Sequence, residues 1–240
     1  MVKNYLICAV RPIEEGWHIE KNQDLYHAYQ RMYDLRSISF RKFVAEPFEE
    51  ILLTAPVRNN DEYTMANWRD IHQLWHSEPC NIFWSGADTI MTQPTSLFSD
   101  RFREYRLFNY TDPKSYRGYT HFFNDDIQYY PHTMAAETWD LGERIWSIRE
   151  GHPDQFWGFD QLRHNEMFWR QGIPESDWFH PKLAYQAMGI RSFSDSEIDT
   201  HNHWNNLDIR QAHILHFHAS RGSEQVIRLM EHLCKNLGIL

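Results

Sequence analysis

Short, largely apolar runs separated by amphipathic segments are the feature of this sequence that most restricts its fold. Residues 5–10 and 80–84 have the pattern of strands buried on both faces. Residues 24–35 and 66–76 carry apolar side chains at helical spacing. This alternation predicts an α/β fold with a mixed, mostly parallel sheet that helices cover on both faces.

The rest of the chain predicts further elements and contains no repeat, low-complexity tract or linker. Additional strands are expected at 51–53, 105–110, 121–130 and 214–218. Additional helices are expected at 134–148, 160–170 and 223–237, and a turn with a short helix at 94–102. The absence of a linker favours one domain over the whole chain.

Charge and cysteine usage exclude several classes of protein. The net charge is −9 and the Lys and Arg residues form no dense run, which disfavours non-specific binding of nucleic acid. The three cysteines match no zinc pattern, and Cys8 and Cys80 lie in apolar runs typical of a core. We therefore expect a reducing, cytoplasmic compartment. Without an apolar stretch of membrane-spanning length, neither a transmembrane helix nor a signal peptide is expected.

The first candidate site follows the predicted strand at 80–84. In open α/β sheets, ligands bind beyond the carboxyl ends of the strands, and Asp88 falls at such an end. A carboxylate there can hold a divalent cation, which can neutralise a diphosphate leaving group. The alternative is that Asp88 is a turn residue or a helix N-cap.

The second candidate site is the segment from His216 to Gly222. Because side chains alternate along a strand, His216 and His218 would point the same way, about 7 Å apart. Imidazoles at a strand end suit Mn²⁺ better than Mg²⁺, and Arg221 in the next turn could grip a phosphate. The alternative is a pair of half-buried histidines in a chain that has fifteen.

Two further segments carry polar side chains in apolar surroundings. Asp160 and Gln161 at a predicted helix start, with Asn165 one turn later, offer the donors and acceptors that sugar hydroxyls require. An ordinary capped helix is the alternative. Asn124 lies in an aromatic strand where polar groups need partners, and a ligand is one source of them. The adjacent pair at 125–126 contributes at most one functional carboxylate, because neighbours in a strand face opposite ways.

Together these four segments, in this order, resemble GT-A glycosyltransferases, nearest to the family 8 type and its phage and bacterial relatives. That group has an apolar strand ending in Asp-x-Asp, then Phe-Asn-x-Gly, then a helix with Asp-Gln-x-x-x-Asn, and last His-Phe-x-Gly followed by Lys or Arg. The corresponding residues here are 86–88, 123–126, Asp160 and Gln161 with Asn165, and 216–219 with Arg221. The resemblance spans about residues 3–222.

Three positions depart from the family pattern. Gly86 stands where the first Asp of Asp-x-Asp is expected, Asp126 replaces one glycine and Ala219 replaces another. Loss of a carboxylate weakens cation binding unless water or a nearby residue completes the coordination shell.

The resemblance implies transfer of a sugar from a nucleotide-diphosphate donor, assisted by Mn²⁺ or Mg²⁺, to an unknown acceptor (a glycan, a protein or modified nucleic acid). It implies the following roles: cation ligands Asp88 and His216, with His218 as the rival; nucleotide-sugar binding by Ala87, Asp88, Arg221 and Asn165; and donor-sugar orientation or catalysis by Asp160, Gln161 and Asn124. The single domain, residues 1–240, would comprise a nucleotide-binding part at about 1–90, a sugar and acceptor part at about 91–222 and a C-terminal helix at 223–240.

Three alternatives remain at the level of sequence. The missing first Asp motivates a weak or inactive relative that binds a nucleotide or glycan without turnover. A phage-type enzyme acting on modified DNA bases fits the chain length and is disfavoured by the acidic charge. A metal-dependent hydrolase is least favoured, because no His-Glu-x-x-His spacing occurs.

Overall fold

The computed structural model describes residues 2–14, 19–98, 111–112, 122–123, 127–133, 184–186, 192–199, 209–217 and 223–240. The helices are α1 (Ile19–Phe43), α2 (Asn60–Ser77) and α3 (Ser223–Asn236), with a short helical segment at 195–199 and a 3-10 turn at Ile209–Gln211. The strands are β1 (Lys3–Ala9), β2 (Glu49–Leu53), β3 (Cys80–Ser85), β4 (Thr89–Met91), β5 (Thr111–Asp112), β6 (Phe122–Phe123), β7 (Ile127–Tyr130), β8 (Ala184–Gln186) and β9 (Ile214–His216).

The main sheet has the strand order β2-β1-β3-β7. Strands β2, β1 and β3 are parallel, with Tyr5 of β1 paired to Glu49 on one side and Ile82 on the other. Strand β7 closes the sheet antiparallel to β3. Chain order differs from spatial order because α1 leads from β1 to β2 and α2 then returns the chain past β1 to β3. The carboxyl ends of β1 and β3 therefore lie side by side where the strand order reverses.

Alternation along β1 sends side chains to two separate cores. Tyr5 and Ile7 pack with Ile71 and other residues of α2 on one face of the sheet. Leu6 packs with Phe40 of α1 on the opposite face. The α/β fold with helices on both faces of a mixed, mostly parallel sheet is thus as the apolar runs predict.

A second, three-stranded sheet has the order β4-β9-β8. Strand β4 is antiparallel to β9, with Thr89 opposite His216, and β8 is parallel to β9. Strands β5 and β6 form a separate antiparallel pair. Beside β9, helix α3 buries Val226 and Met230 in a cluster that α1 also enters.

Several predicted boundaries are wrong for identifiable reasons. Helix α2 begins earlier than residue 66 because the Asn59 side chain caps it, accepting a hydrogen bond from the Glu62 amide at 2.9 Å. Helix α1 runs past residue 35 because the polar side chains of Arg36, Ser37 and Ser39 form hydrogen bonds with residues of the sheets. Residues 94–98 are not helical, since Thr95 forms a bridge with Val44.

Other differences concern strands. The single strand expected at 121–130 is two strands in different sheets, β6 and β7, and the strand expected at 214–218 ends at His216. The short strands β4 and β8 were not expected. The predictions at 105–110, 134–148 and 160–170 lie outside the described residues.

The three cysteines are buried and form no disulfide. Burial raises the thiol pKa of Cys8, Cys80 and Cys234 to about 11 in each case. Cys8 and Cys80 are core residues, as their apolar surroundings predict. Among the described helices, none combines the length and the apolar character needed to cross a bilayer.

A buried arginine connects α1 to all three parallel strands. The fully buried guanidinium of Arg36 donates to the Ser85 hydroxyl at 2.8 Å, to Glu50 at 3.1 Å and to the carbonyl oxygen of Ile7 at 3.1 Å. Glu50 also accepts a hydrogen bond from Ser37 at 2.7 Å. Such a charge is stable in a core only when it is paired and hydrogen-bonded. Arg36 therefore fixes how α1 lies on the sheet.

We predict that Arg36→Met lowers the free energy of unfolding by about 3–5 kcal/mol, because the Glu50 carboxylate loses its buried partner. Arg31→Met is the matched control, since Arg31 is half exposed in its pair with Glu231. That control should change stability by about 1 kcal/mol or less. Urea unfolding followed by circular dichroism measures both, and equal effects in the two variants would contradict the role given to Arg36.

Candidate functional site

The turn between β3 and β4 carries Asp88. Strand β3 ends at Ser85, residues 87–88 form the turn, and the chain re-enters a strand at Thr89. The Thr89 hydroxyl donates to the carbonyl oxygen of Gly86 at 2.7 Å, which closes the turn. Asp88 is therefore a turn residue, which is one of the two interpretations that the sequence left open, and it lies three positions beyond the end of β3. Its side chain is nonetheless only 8% exposed.

His216 lies directly beside Asp88. Its Nε2 atom is 3.5 Å from the Asp88 Oδ1 atom, and the imidazole is 3% exposed. The backbone holds the pair in place, because Thr89 is opposite His216 in the β4–β9 ladder and the Phe217 amide donates to the Asp88 carbonyl oxygen at 2.9 Å. The structure thus brings together two side chains that the sequence predicted to share a site.

The remaining predicted site residues divide into two groups. Ala87 is buried in the same turn as Asp88. The others lie outside the described residues: His218, Arg221, Asn124, Asp160, Gln161 and Asn165. In the part of the chain that is described, no group of three or more acidic, histidine or cysteine side chains is placed to hold a metal ion. Within those ranges, Asp88 and His216 are thus two neighbouring candidate ligands and belong to no larger cluster of this kind.

A cavity of about 340 Å³ lies beside Asp88 at the carboxyl ends of β1 and β3. This volume is in the range of small-molecule sites, and the location is where open α/β sheets bind ligands. The lining residues come from the end of β1, helices α1 and α2, and the β3–β4 turn: Ala9, Val10, Arg11, Ile13, Leu25, Tyr26, Tyr29, Tyr63, Trp84, Gly86, Ala87 and Asp88.

Four of the residues that line this cavity are aromatic. Tyr26 and Tyr29 come from α1, Tyr63 from α2 and Trp84 from β3. The Tyr63 hydroxyl donates to the Ala9 carbonyl oxygen at 2.9 Å, and burial raises its pKa, so it remains a neutral donor. Rings of this kind offer faces on which a nucleobase or a sugar can stack.

Among the described residues that line the cavity, Arg11 is the one with a cationic side chain, and sequence reasoning missed it. It is 5% exposed. Its Nε atom donates to Asn67 at 2.6 Å, its Nη1 atom to the Ala55 carbonyl oxygen at 3.1 Å, and its Nη2 atom to the Asp70 carboxylate. The available signal was its position, a charged residue directly after the apolar run at 5–10.

Solved structures of glycosyltransferases have an architecture similar to that of this chain. The chain has the α/β fold of GT-A-like glycosyltransferases, with a mostly parallel sheet flanked by helices. One such structure is a glycosyltransferase involved in the glycosylation of the major capsid of PBCV-1. It shares 12% sequence identity with this chain over 95% of this chain and 99% of that one, with a TM-score of 0.57.

A second similar structure is the apo-form glycosyltransferase GlyE of Streptococcus pneumoniae TIGR4. The identity is 12% and the TM-score 0.52; the match covers 98% of this chain and 63% of that one, so the chain spans less than two thirds of GlyE. No protein-family model matches the sequence, and no curated protein matches it. At these identities the likeness establishes the fold, while the resemblance to the family 8 type stays a prediction.

Proposed function

We propose that this chain is a glycosyltransferase that moves a sugar from a nucleotide-diphosphate donor to an acceptor, with the help of a divalent cation. One observation carries the proposal: the Asp88–His216 pair stands at the rim of an aromatic cavity, where β1 and β3 end in a glycosyltransferase fold. The cavity suits the nucleoside, and the pair suits a divalent cation that binds the diphosphate. The acceptor class, a glycan, a protein or a modified nucleic acid, stays open.

The cavity supports binding of the nucleoside. Tyr26, Tyr29 and Trp84 line it, and stacking of a base on an aromatic ring contributes about 1–3 kcal/mol. The cavity also lies at the switch point of the sheet, where open α/β sheets bind nucleotides, next to Ala9 and Val10 at the end of β1. The diphosphate would then extend toward the β3–β4 turn, where Asp88 lies.

The Asp88–His216 pair fits a divalent cation. In an octahedral shell with ligands at about 2.1 Å, neighbouring ligand atoms lie about 3 Å apart, close to the 3.5 Å between Asp88 Oδ1 and His216 Nε2. Such cations are commonly held by one or two carboxylates plus substrate phosphates, so a two-residue set is sufficient when the diphosphate is bound. Mixed oxygen and nitrogen ligands favour Mn²⁺ over Mg²⁺. When bound, the cation would neutralise the charge that develops on the departing diphosphate.

The chain's own residues contribute position and charge. The turn that holds Asp88 is closed by Thr89 and anchored to β9, so the carboxylate is oriented before any ligand arrives. Asn124, Asp160 and Gln161 are proposed to orient the donor sugar, and Arg221 with Asn165 to bind the nucleotide sugar, on the strength of the sequence resemblance alone.

A binding protein without turnover is the second candidate. Gly86 stands where the resemblance expects a carboxylate, and the described residues offer only Asp88 and His216 as neighbouring ligands. A site of this kind would bind a nucleotide sugar without breaking the glycosidic bond. Calorimetry that detects binding while no nucleoside diphosphate is released would favour it.

We predict that the chain releases a nucleoside diphosphate from at least one nucleotide sugar in the presence of Mn²⁺, and that Asp88→Asn slows this release at least about 100-fold. Asp34→Asn is the matched control, since Asp34 is exposed on α1, and it should leave the rate unchanged. A coupled assay over a panel of nucleotide sugars measures release, and calorimetry measures Mn²⁺ affinity. Full activity in folded Asp88→Asn would remove Asp88 from the mechanism.

We also predict that Gly86→Asp tightens Mn²⁺ binding about tenfold in the presence of the nucleoside diphosphate, because a second carboxylate raises the charge of the ligand set. The backbone tolerates the change, since among the described glycines Gly238 is the one with a positive φ, 63°. Gly86→Asn is the matched control of equal shape without the charge. Equal Mn²⁺ affinity in the two folded variants would contradict a cation site at this turn.

A further inference from the structure

Arg11 has donor groups that the described protein does not use. A guanidinium carries five N–H groups. Three of them donate within the described residues, to Asn67, Ala55 and Asp70, so five minus three leaves two. The side chain is nine-tenths buried and lines the cavity. Each guanidinium nitrogen thus has one partner in the protein, and the two remaining N–H groups give Arg11 the capacity to donate to a ligand in the cavity.

The position of Arg11 indicates which part of a nucleotide it meets. Through Ala55 it is tied to the segment that follows β2, on the side of β1 away from β3. Asp88, the proposed diphosphate end of the site, follows β3 on the opposite side of β1. In addition, the Asp70 carboxylate pairs with the guanidinium and reduces its attraction for phosphate. Arg11 is thus placed for the base and poorly placed for the diphosphate.

Nucleobases differ in the acceptors that they offer to such a donor. Uracil and guanine carry carbonyl oxygens on their edges, and guanine has N7 beside O6. Adenine has no carbonyl oxygen: its ring acceptors N1 and N7 both lie beside an amino group that donates, and N3 lies on the side of the glycosidic bond. A guanidinium fork that faces adenine therefore meets a donor where it needs an acceptor.

We infer that Arg11 is a specificity-determining residue: it favours a donor nucleotide whose base carries a carbonyl oxygen, such as uracil or guanine, over one that carries adenine. This inference rests on the proposed function, because it takes the cavity to be the nucleoside site. Asn67 and Asp70 act as positioning residues, since they hold the guanidinium through Nε and Nη2.

The test is calorimetric titration of the chain with UDP, GDP and ADP in the presence of Mn²⁺. UDP or GDP should bind at least about tenfold more tightly than ADP, the magnitude of one hydrogen bond to a charged group. Arg11→Met should reduce that ratio to about twofold or less by weakening UDP or GDP binding. Arg31→Met, on the outer side of α1, is the matched control and should keep the ratio.

The outcomes separate the inference from the proposed function. Failure of all three nucleotides to bind would overturn both. Equal binding of all three to the wild-type chain would overturn the inference alone. An affinity ratio between UDP or GDP and ADP that survives in folded Arg11→Met would also overturn the inference alone. An equal loss of affinity for all three nucleotides in that variant would do the same, because it would indicate a phosphate contact.

A second measurement uses only the wild-type chain, in case Arg11→Met does not fold. Sulfur is a weaker hydrogen-bond acceptor than oxygen, so a thio analogue of the preferred base at the contacted carbonyl should bind more weakly than the parent nucleotide. For uracil the analogues are 2-thio-UDP and 4-thio-UDP, and for guanine 6-thio-GDP. Undiminished affinity for every analogue of the preferred base would overturn the inference.

Discussion

A single buried guanidinium joins α1 to the three parallel strands. Arg36 contacts the Ile7 carbonyl oxygen of β1, Glu50 of β2 and the Ser85 hydroxyl at the end of β3. Removing any of these partners would leave a charged or polar group buried without compensation, so the helix and the sheet hold one relative position. Ser85 immediately precedes the turn that carries Asp88, and the network thereby fixes where the candidate site begins.

Beyond Ser85, backbone pairing between β4 and β9 positions Asp88 and His216. Thr89 reaches the Ser85 hydroxyl at 3.3 Å, and strand β4 then pairs with β9, which places His216 beside Asp88. The Asp88–His216 pair lies at the edge of the cavity. This cavity is at the ends of β1 and β3, where the strand order reverses. A carboxylate and an imidazole suit a divalent cation that binds a diphosphate, and aromatic rings suit a nucleoside, which is the chemistry proposed for this chain.

Sequence reasoning succeeded where local pattern determines structure. The apolar runs of β1 and β3 and the periodicity of α2 predicted the sheet and its cover. Sequence reasoning failed where a strand or a buried side chain depends on a partner from a distant part of the chain. Strand β4 is only three residues long and exists because β9 pairs with it. The burial of Arg11 and Arg36 could not be predicted from the sequence, since only the folded chain brings Asn67, Asp70, Glu50 and Ser85 to them.

The central claim is that Asp88, His216 and the adjacent cavity form one nucleotide-sugar site. A crystal structure of the chain with Mn²⁺ and a nucleoside diphosphate, recorded at the manganese absorption edge, tests it most directly. The account predicts an anomalous peak within bonding distance of both Asp88 and His216, with the base among the rings of Tyr26, Tyr29 and Trp84. A peak that touches neither residue, or a base bound outside the cavity, would contradict it.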